Sequence, residues 1–72
     1  MKLWVDDERP APKGWTGVTT AEAAISLLAL GKVSEVSLDH DLGGDSTTRE
    51  VVLWMCERDF WPWKVYVHSQ NP

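Results

Sequence analysis

The sequence predicts a small α/β domain built around a short parallel sheet, and three observations predict it. Short apolar runs of strand length alternate with segments of helical periodicity, as in chains that wind βαβ units. Each of three apolar runs ends on acids or other polar side chains. Glycine and proline punctuate the intervals between them. Crossovers between parallel strands are right-handed and place the C-terminal ends of neighbouring strands along one edge, so the three polar tips are expected to meet.

Leu3-Trp4-Val5 is an apolar run that ends at Asp6-Asp7, and it reads as a strand buried on both faces. The stretch 9–15 holds Pro10 and Pro12, which remove backbone donors and restrict the residues before them, so it is read as an ordered loop passing near those acids. Gly17-Val18-Thr19 reads as a brief second strand. Thr19 and Glu22 have capping-box spacing for a helix over residues 21–30, with Ala24, Ile25 and Leu28 on one face and Gly31 as its C-terminal cap. Residues 33–42 read as the next strand, with Val36 and Leu38 apolar, Asp39-His40-Asp41 at its tip and Gly43-Gly44 breaking the chain. Thr47 and Glu50 repeat the capping-box spacing for a second helix, whose apolar face would be Val51, Val52, Met55 and Cys56 and which should stop before Pro62. Lys64-Val65-Tyr66-Val67 reads as a last strand tipped by His68-Ser69-Gln70-Asn71-Pro72.

Seventy-two residues give room for one domain, residues 1–72, at a size where apolar burial barely outweighs the entropy lost on folding. The hydrophobic fraction of 43% and the five tryptophans exclude a disordered chain. Seven basic against eleven acidic side chains give a net charge of −4, which argues against a duplex-DNA binder and requires a cation or a local basic spot for any phosphate ligand. The lone Cys56 fits a reducing compartment, and the start at Met1-Lys2 shows no leader pattern. A cytoplasmic protein without a membrane-spanning segment is expected.

Six of the eleven carboxylates lie in two short stretches, Asp6, Asp7 and Glu8 in one and Asp39, Asp41 and Asp45 in the other. Carboxylates crowded at one sheet edge resist ionising unless a cation neutralises them, and Mg²⁺ prefers such oxygen ligands while keeping waters that a phosphate can replace. Asp6, Asp7, Asp39 and Asp41 are therefore the candidate metal ligands. The strand period of two sends Asp39 and Asp41 to one side and His40 to the other, where it serves either behind the ligands or as a core histidine. His68 is the better candidate for general acid or base, with Asp39 and His40 beside it in the catalytic set. Imidazoles in the ligand set would favour Mn²⁺, Fe²⁺ or Zn²⁺ instead. Ser69 and Asn71 could donate to phosphate oxygens, Arg9 or Lys13 could supply positive charge, and Trp15 could stack on a base.

Three motifs, Leu3-Trp4-Val5-Asp6-Asp7-Glu8-Arg9-Pro10-Ala11-Pro12, Ser37-Leu38-Asp39-His40-Asp41-Leu42-Gly43 and His68-Ser69-Gln70-Asn71-Pro72, together resemble the cyclic-phosphate-processing receiver-like domains. They occur in order across nearly the whole chain. The resemblance implies a receiver-like (flavodoxin-like) three-layer domain with a short parallel sheet, lacking the last strand and helices. It implies that Asp6 and Asp7 match the metal-binding pair, Asp39 and Asp41 the acids of the third strand, and His68, Ser69 and Asn71 the fourth-strand motif. It further implies action on a cyclic phosphate of a nucleotide or RNA end, by metal-dependent hydrolysis or by sequestration without cleavage. The chain departs from the family in the Thr47-Thr48-Arg49-Glu50 helix start and in having no Gly-Arg segment after Asn71-Pro72. A receiver's lysine and fifth strand have no counterpart either, which disfavours phosphoacceptor signalling through Asp39. The strand after Lys64 is then an exposed edge, which a homodimer or higher homo-oligomer would cover.

Overall fold

The computed structural model of the chain describes residues 1–39 and 46–68. Among these, the elements are β1 Lys2–Val5, β2 Thr16–Val18, α1 Ala21–Ala29, β3 Glu35–Asp39, α2 Ser46–Arg58 and β4 Lys64–His68. The strands form one sheet in the order β2-β1-β3-β4, with every pairing parallel. The small receiver-like α/β fold read from the sequence is therefore the fold observed.

The register sorts alternate residues onto two different faces. Leu3 pairs with Val36 and Val5 with Leu38, and all four are buried. Against them pack Ala21, Ala24 and Leu28 from α1 and Val51 and Met55 from α2, closing one apolar core. Both helices thus share one side of the sheet. Each leucine or valine sealed there contributes about 1.5–3 kcal/mol relative to leaving it exposed.

The opposite face carries Trp4 beside Ser37 and Ser37 beside Tyr66. Over it lies a loop rather than a helix. Trp15 from that loop meets Trp4 and Tyr66 edge-on, at centroid distances of 6.0 and 6.2 Å. Ala11 sits so close above Gly17 that a Cβ there would lie 3.1 Å from the alanine's own, which accounts for glycine in β2.

Local chemistry sets the helix ends, with small shifts from the sequence expectations. The N-cap of α1 is Thr20 and not Thr19, because the Thr20 Oγ1 accepts from the Ala23 N–H at 3.1 Å. The cap spacing with Glu22 pointed one residue early. Gly31 does follow the helix with φ 75°, its N–H donating to the Leu28 carbonyl. In α2 the helix begins at Ser46, so Thr47 lies within its first turn. Cys56, expected on the apolar face, is exposed, and Trp54 packs against the core instead. The helix stops at Arg58 because Asp59 turns left-handed (φ 50°), and Asp59 and Phe60 donate to the Cys56 and Met55 carbonyls.

Two strands are displaced from their expected bounds: β2 runs one residue earlier, and β3 begins at Glu35 rather than at residue 33, while residues 40–42 of that stretch lie outside the described residues. Strand β4 is the sheet edge among the described residues, and Val65, Tyr66 and Val67 on it are exposed. No helix among the described residues is long and apolar enough to cross a membrane.

Candidate functional site

The parallel order delivers Asp6, Asp39 and His68 to the C-terminal ends of β1, β3 and β4, side by side. Each offers one ligand atom, and those atoms all lie within 4.8 Å of one another. The sequence expectation that residues from the start, middle and end of the chain converge is met for these three.

Asp6 is held by the turn it starts. Its amide donates to Val18 in β2, while its Oδ1 accepts from the Glu8 and Arg9 amides at 2.8 and 3.0 Å. Its Oδ2 lies 3.1 Å from the His68 Nε2. The side chain is almost wholly buried. Burial by itself pushes its pKa up, but the Arg9 and Glu8 amides and His68 together outweigh that and hold the carboxyl below its ordinary value. Asp6 is thus ionised at neutral pH, a fixed acceptor.

Asp39 ends β3 half-buried, paired in register with His68. Its carbonyl accepts from the Thr48 hydroxyl at 2.9 Å, which ties the first turn of α2 to the strand tip. His68 is fixed on three sides. Its ring stacks on Trp4 at 3.7 Å and 12°, Nε2 meets Asp6, and Nδ1 lies 2.7 Å from the Ser37 Oγ. Trp4 also carries a buried Nε1–H that no acceptor meets among the described residues, at a cost of about 1–3 kcal/mol.

The donor set fits a divalent cation. Ligand atoms each about 2.1 Å from a common ion lie at most about 4.2 Å apart, so the spacing requires only a small closure of side chains. Two carboxylates and an imidazole nitrogen supply hard oxygen ligands and one softer nitrogen.

Other expected site residues stand differently. Asp7 is exposed and falls outside the trio, and Arg9 and Lys13 are exposed on the loop after β1. Trp15 is half-buried with its ring edge-on to Trp4 and Tyr66, and the Lys2 ammonium lies 5.6 Å from its centroid. His40, Asp41, Ser69 and Asn71 lie outside the described residues. Sequence reasoning passed over Ser37 and Trp4. The available signal was the polar Ser37 between Val36 and Leu38, since a buried hydroxyl in an apolar strand requires a partner.

No curated protein and no solved structure matches the chain. The family model described as the cyclic-phosphate processing receiver domain matches residues 1–72, the whole chain. With its parallel receiver-like sheet and its acids and histidine at the strand ends, the chain belongs to that family of cyclic-phosphate processing receiver domains.

Proposed function

We propose that the chain hydrolyses a cyclic phosphate on a nucleotide or an RNA end in a reaction that depends on a divalent cation, with Mg²⁺ the first candidate and Mn²⁺ the second. The observation that carries this reading is the convergence of Asp6, Asp39 and His68 within 4.8 Å at the ends of three parallel strands. A cation bound there would polarise the phosphoryl group and lower the pKa of a bound water.

The protein's own part is binding, charge and orientation. Asp6 and Asp39 would hold the ion with His68, joined by Asp7 and Asp41. Arg9 or Lys13 would counter the phosphate's charge, Ser69 and Asn71 would donate to its oxygens, and Trp15 would border the base. In the balanced reaction the oxygen of water bonds to phosphorus and one ring P–O ester bond breaks. The attacking water gives up one proton and the freed alkoxide takes one up, leaving a phosphate monoester.

One observation favours a second reading, sequestration of an intact cyclic nucleotide. Both ring nitrogens of His68 are engaged, by Ser37 and by Asp6, so its proton is already committed and is not aimed at a leaving oxygen. Incubation with 2′,3′- and 3′,5′-cyclic nucleotides and Mg²⁺ or Mn²⁺, followed by product separation, decides between them. Turnover that falls at least about 100-fold in Asp39→Asn supports hydrolysis, since loss of a ligand should exceed the 10–100-fold effect of losing a group behind one. Intact ligand that raises the melting temperature supports sequestration. Neither effect with any cyclic nucleotide rejects both.

A further inference from the structure

Ser37, His68 and Asp6 form a hydrogen-bonded chain of the residue types found in hydrolytic triads, but the serine is not placed as a nucleophile. It lies in the middle of β3, 3% exposed, with Trp4 and Tyr66 beside it in the neighbouring strands. No substrate reaches that hydroxyl. Its contact with the histidine, at 2.7 Å, is nonetheless the shorter of the two.

We propose that Ser37 is a positioning residue that commits the Nε2 edge of His68, rather than Nδ1, to the Asp6 and Asp39 side. The inference rests on the reading of those three residues as the site. Asp6 accepts the Glu8 and Arg9 amide hydrogens on Oδ1 and presents Oδ2 as a further acceptor, so Nε2 bears the hydrogen that it meets at 3.1 Å. Nδ1 of the neutral ring then holds a lone pair, and the Ser37 hydroxyl donates to it. Trp4, stacked flat against the ring, blocks tilting while Ser37 sets the rotation.

A hydroxyl suits this place because it both donates and accepts. When a cation takes the lone pair of Nε2, the ring's single hydrogen must reside on Nδ1, and the same Ser37 oxygen then accepts it. One imidazole hydrogen changes nitrogen, and the ring's proton count is unchanged. Ligating histidines characteristically place their second nitrogen against such a partner. A carbonyl could serve only one of these states. Alanine serves neither.

The test begins with the metal-free wild-type protein, using long-range ¹H–¹⁵N spectra that separate a protonated ring nitrogen from one with a lone pair. The His68 signals are identified by their loss in His68→Gln. The expected result is hydrogen on Nε2 and a lone pair on Nδ1, and the opposite tautomer overturns the proposal. In Ser37→Ala the Nδ1 signal should move to that of a lone pair without a donor, although Asp6 keeps the hydrogen on Nε2, and Mn²⁺ affinity, followed by EPR, should fall about 10–100-fold. Ser37→Thr, which keeps the hydroxyl, should restore both. An alanine variant with wild-type Nδ1 signal and Mn²⁺ affinity also overturns it. If the wild type binds no Mn²⁺ and processes no cyclic phosphate, the functional reading fails, while the tautomer still decides the role of Ser37.

Discussion

The two faces of one sheet are made from the same short strands, yet they do different work. On the helix side, Leu3, Val5, Val36 and Leu38 are sealed under α1 and α2 without a polar atom of their own. On the other side, one residue along in each strand, Trp4, Ser37 and Tyr66 lead to Asp6, Asp39 and His68 at the tips. The helix face is held by area removed from water, which is indifferent to direction. The tip side is held by directed contacts, each with one best partner. Substitutions on the first face should therefore change stability first and chemistry only through unfolding. On the second face the order should reverse.

The largest expected effect tests that division. Leu3 is fully buried at the centre of the core, and Leu3→Ala should cost about 2–5 kcal/mol in chemical denaturation. Stabilities near 0.05–0.15 kcal/mol per residue leave a domain of this size little reserve. The urea midpoint of the variant, followed by far-ultraviolet circular dichroism, should therefore lie far below that of the wild type. Ser37→Ala on the other face should keep a native spectrum. Similar losses of structure from both variants would show that the faces are not separable.

A second, intermediate effect probes the tip through acid. Folding holds the pKa of Asp6 below its ordinary value, so the stabilisation from its ionised form is fully present above the unfolded-state value of about 3.9. It is lost as pH falls through the lower, folded-state value. Asp6→Asn keeps an oxygen for the Glu8 and Arg9 amides but cannot titrate. Urea midpoints of the metal-free proteins between about pH 6 and pH 2 should therefore fall more steeply for the wild type. Parallel curves would mean that Asp6 titrates as an ordinary carboxylate.

The contrast also explains what was legible in the sequence. Parallel pairing and the meeting of Asp6, Asp39 and His68 follow from apolar runs that end in polar tips, because period and topology together bring those ends to one edge. Ser37 shows in the sequence only as a polar residue among apolar ones, and its partner is not legible there, since that is a histidine 31 positions away, a distance that no local pattern spans. Asp7 is a different case. It adjoins Asp6 in sequence, and the turn that holds Asp6 leaves it exposed and outside the trio.

The smallest expected effect concerns the cap of α1, where sequence and structure differ by one residue. Both Thr19 and Thr20 can cap by residue type, and the spacing of Thr19 to Glu22 favours the wrong one. In the fold the Thr20 hydroxyl satisfies the Ala23 N–H, and the Ala24 amide already donates to the Thr20 carbonyl. Thr20→Ala should cost about 0.5–2 kcal/mol by urea denaturation, whereas Thr19→Ala should stay within about 0.5 kcal/mol of wild type. The cap belongs to a helix on the core side, so Mn²⁺ affinity of folded Thr20→Ala should equal that of the wild type. A cation affinity that moved with the cap would mean that α1 transmits its position to Asp6 through β2, whose Val18 carbonyl accepts the Asp6 amide. The division between the two faces would then hold for packing but not for function.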